Sequence, residues 1–260
     1  NNGAWCRCHW SMQNNKAIAI NQSGIIIMGT KQNTRRTECF EPTRHIYARY
    51  SNLFLVLMVI SIILVQRGVV VGGYIYYVPM IITLWCAMAA GLLSTAYQAN
   101  DYSAIGKIDS GEQLWYGKLS FIPYLIPLWI RQFLITRCTK EPAYNELIAG
   151  VFIGRRLSKA SQLPEGCTTI VDLAAEFPEA KSIRKLSGYR SFPILEASVR
   201  SKEELCDFIK TLPESGIYIH CGQGHGRTGF FAAAFLLCRG VARTLEEAEA
   251  MLVKARPRLK

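Results

Sequence analysis

The spacing of hydrophobic positions changes near the middle of the chain. In the first half they run together: Leu53–Val65 is an apolar run, and Val69–Ala96 follows as 28 residues without a charge. A helix that crosses a bilayer needs roughly 20 apolar residues. The pattern therefore predicts an α-helical transmembrane hairpin, with spans at Tyr50–Gln66 and Gly73–Tyr97 and a short turn between them. A third apolar stretch, Leu119–Ile135, is interrupted by Pro123, Pro127 and Arg131. It is too broken for a span and is predicted to be interfacial, with Trp115, Tyr116, Tyr124 and Trp129 at headgroup level.

In the second half the apolar positions fall into short strands and helix-spaced stripes. Strands are predicted at Ala149–Ile153, Thr169–Leu173, Ser191–Leu195 and Ile217–His220, with a turn at Pro164–Gly166. Ser201 with Glu204 has capping-box spacing at the start of a helix over Ser201–Leu212, and Thr244 with Glu247 starts the next, which Arg256 and Pro257 end. The stretch Arg227–Arg239 is nearly all apolar, so its helix is predicted to be buried on most sides. Alternating strands and helices predict an α/β domain: a mainly parallel sheet flanked by helices, with ligands bound beyond the C-terminal strand ends. The chain divides into an irregular basic segment 1–48, the hairpin 49–98, a juxtamembrane segment 99–143 and an α/β domain 144–260.

Charge adds an orientation. The first 140 residues carry 13 Lys and Arg against 5 Asp and Glu, and the remainder carry 17 against 14. Lys31, Arg35, Arg36, Arg44 and Arg49 precede the first span, whereas the turn holds only Arg67. Positive charge marks the cytoplasmic side, which puts the N-terminus inside and, with two spans, returns the α/β domain to the cytoplasm. A third span would reverse that. With two spans, Arg131, Arg137, Lys140, Arg155 and Arg156 lie near anionic headgroups, so the partners expected are a membrane and its lipids, not nucleic acid. The nine cysteines lack paired spacing, which suits a reducing compartment. The near-N-terminal Cys6, Cys8 and His9 form half a metal site with no second pair at hand, so chance spacing is the reading taken. Met12 or Met28 is the expected start, and a short C-terminal piece is expected beyond Lys260.

The chemistry is concentrated between Ile217 and Ala232: an apolar strand, a glycine-rich loop opened by Cys221 and closed by Arg227, then a helix. Amide N–H groups at a helix N-terminus have no intrahelical partners and lie at the positive end of the helix dipole, so a loop there cradles anions. Gly222, Gly224, Gly226 and Gly229 are expected to turn successive N–H groups inward through positive φ values. With Gln223 and His225, the loop from Gly222 to Gly226 would bind a phosphate, and the Arg227 fork would hold two of its oxygens. A cysteine in such a field has its pKa lowered from about 8.5 to roughly 3.5–7.5, which makes Cys221 a thiolate nucleophile at neutral pH. The Thr228 hydroxyl is placed to stabilise the departing sulfur. No metal or cofactor is required. A Walker loop is excluded because no Gly-Lys-Ser/Thr follows. His220 is expected to orient the strand end, and His225 faces either substrate or solvent.

Cys221 and Arg227 at this spacing, with Thr228 following, resemble the signature of the protein tyrosine phosphatase superfamily in its dual-specificity branch. The wording Cys-Gly-Gln-Gly-His-Gly-Arg-Thr-Gly is most similar to small bacterial dual-specificity-type phosphatases and to phosphoinositide phosphatases, and the likeness spans roughly Asn145–Lys260. It implies a cysteinyl-phosphate intermediate and a general acid from a mobile upstream loop. Relatives carry Pro-x-x-Asp there; this chain has Pro193 followed by Glu196. Asp172, at a strand end, and Asp207, on a helix surface, are the competing carboxylates. The resemblance leaves the substrate open between phosphotyrosine or phosphoserine/threonine proteins and a phospholipid or phosphoinositide headgroup, since the mitochondrial phosphatidylglycerophosphate phosphatase is also similar. The glutamate in place of aspartate admits a further alternative, a catalytically weak phosphate-binding module on a membrane.

Overall fold

The computed structural model describes residues 9–13, 16–20, 26–30, 41–66 and 77–259. They fall into two compact units, one of Asn1–Cys39, Ile108–Glu112 and Lys140–Lys260, the other of Phe40–Lys107 and Gln113–Thr139.

The first unit holds the α/β domain. A five-stranded sheet is ordered β4 (Tyr144–Ile148), β5 (Val151–Arg155), β8 (Ile217–Cys221), β6 (Thr169–Ala174), β7 (Tyr189–Ile194). The last four strands are parallel, and β4 is an antiparallel edge. The predicted strand at Ala149–Ile153 is corrected here: Ala149 and Gly150 form the turn of a β4–β5 hairpin, with Gly150 at φ 72°. The edge strand β4 carries no clean alternation in sequence, all but one of its residues being half-buried. The strand at the centre of the sheet is fully buried. Period two sends Ile217, Ile219 and Cys221 into one cluster and Tyr218 into another.

On the first face lie α5 (Lys202–Lys210), α6 (Gly226–Cys238) and α7 (Leu245–Ala255). Both capping pairs form: Ser201 Oγ accepts from the Glu204 N–H, and Thr244 Oγ1 from the Glu247 N–H. Phe192, Phe208 and Phe231, from β7, α5 and α6, pack with ring centroids 4.5–6.0 Å apart. Fully burying one such ring stabilises the domain by about 1.5–3 kcal/mol. The other face is covered more thinly, by the 3₁₀ turn Ala160–Gln162 and α4 (Lys181–Arg184) around Leu157, Ile170, Ile183 and Tyr218.

The basic N-terminal segment, expected to be irregular, contains an antiparallel sheet of β1 (His9–Gln13), β2 (Lys16–Ile20) and β3 (Ile26–Thr30). The alternation Lys16-Ala-Ile-Ala-Ile20 suits a strand. Cys6 and Cys8 lie outside the described residues, as does the turn at Arg67.

The second unit is helical. Its elements are α1 (Glu41–Gln66), α2 (Tyr77–Ala99) and α3 (Trp115–Cys138). The third apolar stretch, whose prolines predict a break, is one continuous helix with Pro123 and Pro127 inside it. Pro123 has no N–H to give to the Leu119 carbonyl four residues back. That carbonyl instead accepts the Trp85 indole N–H from α2, at 3.1 Å, which removes much of the cost of an interior proline. By length and composition α2 and α3 are the two described helices apolar and long enough to cross a membrane.

Candidate active site

The loop between β8 and α6 lies at the C-terminal end of the central strand. Cys221 ends β8 at 4% exposure. The chain then turns back over its sulfur, and the Gly224 N–H points at Sγ from 3.3 Å. Glycine is needed at 224, where φ is 75° and a Cβ would stand 2.3–2.4 Å from the carbonyl carbon and oxygen of Gly154. The expectation for the other three glycines is corrected: positive φ in this loop is confined to Gly224. Gly226 has open space around it, and Gly229 lies inside α6, where a Cβ would meet only Leu259. Gly222 is buried and its carbonyl accepts the Arg156 N–H at 3.2 Å, while Gln223 and His225 are half-buried.

Burial pushes the Cys221 thiol pKa up. The Arg227 charge, the hydroxyl and N–H of Thr228 and the Gly224 N–H outweigh it, so the net shift is downward. The Thr228 hydroxyl is fully buried and has no other hydrogen-bond partner among the described residues. These donors favour the thiolate form of the sulfur over the thiol.

Arg227 is buried, yet its charge is retained: burial works against it, and the Glu176 carboxylate beside it more than restores its pKa. Nη1 donates to Glu176 Oε2 at 2.6 Å and to the Ile194 carbonyl at 2.9 Å, and Nη2 donates to Glu176 Oε1. The end of the fork is thus taken by Glu176. A guanidinium has five N–H groups, so the edge carrying Nε and the second Nη2 hydrogen is the one that can grip two phosphate oxygens. Glu176 stands two residues past β6, at the strand ends where such sheets hold ligands. That position was the signal for it in the sequence; the partner, 51 residues away, was not legible.

The candidate carboxylates separate by environment. Asp172 is 1% exposed, and its oxygens accept the Ala174 N–H at 3.0 Å and the Tyr189 hydroxyl at 2.8 Å. Asp207 pairs with Lys210 on the surface at 2.9 Å. Glu196 is exposed at the corner of a tight turn closed by the Ser198 N–H on the Leu195 carbonyl. It is two residues beyond Ile194, whose carbonyl Arg227 holds, and near enough for its charge to act on that guanidinium. Ala197 beside it adopts φ 60°, a left-handed conformation that costs a non-glycine residue roughly 1–2 kcal/mol.

Beneath the loop His220 is fully buried, stacked on Tyr218 and 3.1 Å from Glu179 through Nε2. Asp172, Glu179 and His220 bring three ligand atoms within 4.8 Å of one another. Those carboxylates already receive the Tyr189, Ala174 and Ala180 donors, so the group reads as a buried polar network supporting the strand ends. His225 is half-buried, and its Nε2 lies 2.9 Å from Glu141.

Residues 145–260 match the family described as PTP-SAK, the Swiss Army Knife protein, DSP-PTPase phosphatase domain. No curated protein matches the chain. Among solved structures, human DUSP28 is 18% identical over 45% of this chain and 83% of that one, with a TM-score of 0.35. Tk-PTP in its active form is 21% identical over 45% and 86%, with a TM-score of 0.36. A mouse putative dual specificity phosphatase complexed with zinc tungstate is 17% identical over 46% and 79%. By its match to the family, the α/β half of the chain is an enzyme domain of the dual-specificity protein phosphatase type.

Proposed function

We propose that the chain is a membrane-anchored phosphomonoesterase that hydrolyses phosphotyrosine or phosphoserine/threonine proteins through a cysteinyl-phosphate intermediate. The observation that carries the reading is the buried Cys221 sulfur, its pKa lowered by Arg227, Thr228 and the Gly224 N–H, at the mouth of a helix N-terminus. In the first step the sulfur attacks phosphorus while the bond from phosphorus to the ester oxygen breaks, and Glu196, entering protonated, gives that oxygen its proton. The loop amides and the free edge of Arg227 hold the three equatorial oxygens. In the second step water attacks phosphorus and loses its proton to the Glu196 carboxylate. The sulfur–phosphorus bond breaks, inorganic phosphate leaves, and Thr228 stabilises the thiolate as it re-forms.

Membrane attachment is supported by how little of the apolar helices the protein covers. Of their most apolar windows, 28% is buried in α2 and 11% in α3, whereas the core helix of a soluble domain is mostly buried. A hairpin of α1 and α2, with the basic residues before α1, favours the multi-pass, cytoplasm-facing arrangement, and the resemblance of the loop sequence favours an enzyme of bacterial type. Under that arrangement a phospholipid headgroup is the second reading, favoured by the anchor and the juxtamembrane cations and disfavoured by a loop without lysine. The full chain in detergent should hydrolyse p-nitrophenyl phosphate, and Cys221→Ser should abolish it; activity surviving that change sinks the covalent mechanism. Phosphate release from phosphopeptides exceeding that from phosphoinositide vesicles supports the protein substrate, and the reverse replaces it with lipid.

A further inference from the structure

The segment just before β4 reaches the phosphate loop. Glu141 lies outside the residues matched to the phosphatase family, yet its carboxylate stands 2.9 and 3.2 Å from Nε2 of His225, inside the loop and 84 residues away. The same carboxylate is 3.1 Å from Nε of Arg256, whose side chain is 1% exposed at the end of α7. Arg256 is fixed in turn by the Asn145 side chain at 2.9 Å and the Pro142 carbonyl at 3.3 Å. A continuous chain of polar contacts therefore runs from a buried arginine, through an acid that is itself mostly buried, to a loop residue.

We infer that Glu141 is a positioning residue for the phosphate loop, acting through His225. A carboxylate needed only to neutralise Arg256 would not have to face the loop. Here it grips both partners, and the arginine is the immobile one. His225 is the N-cap position of α6, and its carbonyl accepts the Gly229 N–H at 2.6 Å in the first turn. Fixing its ring fixes the backbone at the point where the loop becomes the helix, next to Arg227. The amides that face phosphate then keep one arrangement before substrate arrives, which is the condition for preorganised binding. Nothing in the two chemical steps uses Glu141, so its role is separate from theirs, although it rests on the loop being a phosphate site.

The test is a double-mutant cycle on the full chain with Glu141→Gln, His225→Gln and both together, read by kcat/KM on p-nitrophenyl phosphate and by the Kd for tungstate. Each single variant should lose about ten- to a hundredfold in kcat/KM, the scale on which misplacing a positioned group acts, with tungstate affinity falling in parallel. The double variant should lose no more than the worse single one, since both remove the same link. His225→Gln leaves the Glu141–Arg256 pair intact, so its loss should appear at an unchanged Tm and keeps the test valid if Glu141→Gln unfolds. Wild-type values for either single variant, or losses that multiply in the double, overturn the assignment. Tungstate binding by a wild-type chain that does not hydrolyse would sink the phosphatase reading while leaving the cycle readable by affinity. A wild-type chain that neither hydrolyses nor binds tungstate removes both.

Discussion

At Cys221 two opposing effects act on one sulfur. Burial favours the neutral thiol, while Arg227, Thr228 and the Gly224 N–H favour the thiolate and win. Alkylation by iodoacetate follows the thiolate, so its midpoint pH on the full chain should lie below that of an ordinary cysteine. Thr228→Val keeps the shape and removes one hydrogen bond to a charge, about 1.5–3 kcal/mol, which should raise the midpoint by about 1–2 pH units. An unmoved midpoint would remove Thr228 from the sulfur's environment. The same shift enters stability: a lowered pKa in the folded state stabilises fully above the unfolded thiol's pKa, and the contribution is lost as pH falls through the folded one. Glu176 makes a second claim at this scale. It and Arg227 are both buried and bonded to one another, so Glu176→Gln leaves a buried cation short of its counter-charge. Denaturant unfolding should show a loss of about 3–5 kcal/mol, and kcat/KM should fall with it because the guanidinium loses its fixed orientation. A variant as stable and active as the parent would mean that Ile194 alone holds the arginine.

The elements were legible to the extent that their signals are local. Ser201 with Glu204 and Thr244 with Glu247 are signals four residues long, and both caps form where the spacing places them. The loop around Cys221 was legible for the same reason: strand, glycines, arginine and helix follow one another within 16 residues of sequence. Glu176, Glu141 and Arg256 were not, because each meets its partner across 51 to 114 residues of chain. The prolines of α3 misled for a related reason, since the donor that satisfies the Leu119 carbonyl comes from α2, 34 residues away. Glycine content overstated how much of the loop needs glycine. The structure separates the positions: Gly224→Ala must place a methyl against the Gly154 carbonyl at φ 75°, whereas Gly226→Ala meets nothing within 4 Å. Thermal unfolding should therefore show a marked loss for the first, at least the roughly 1–2 kcal/mol of a left-handed alanine, and a change within about 0.5 kcal/mol for the second. Equal losses would mean that the loop's strain is spread evenly rather than held at one residue.

For the whole molecule the question is which way the apolar helices meet the bilayer. Length and composition pass both α2 and α3 as spans. Chain order restricts that for α3. Ile108–Glu112 precedes it and Lys140–Lys260 follows it, and both belong to one compact unit. Within that unit the Gly111 carbonyl accepts the Glu179 N–H at 2.8 Å, Glu112 pairs with Arg184 at 3.1 Å, and a Cβ on Gly111 would overlap the Tyr189 ring. A bilayer cannot pass between two parts of one folded body. A helix whose two flanking segments share such a body has to return to the side it left, and 24 residues of continuous α-helix cannot do so across a membrane. Under the proposed membrane attachment, the arrangement left is α3 along the membrane surface, where exposed Leu119, Ile126, Ile130, Phe133 and Leu134 would face the acyl region and Arg131 and Arg137 would reach the headgroups. The prediction is made with two exposed serines, one on each side of α3 in sequence. In a full-length chain with its native cysteines replaced by serine, Ser110→Cys and Ser158→Cys should both react with a membrane-impermeant maleimide from the same face of sealed vesicles. Labelling from opposite faces would make α3 a span and would place the phosphate loop on the other side of the membrane from the loop that precedes α3.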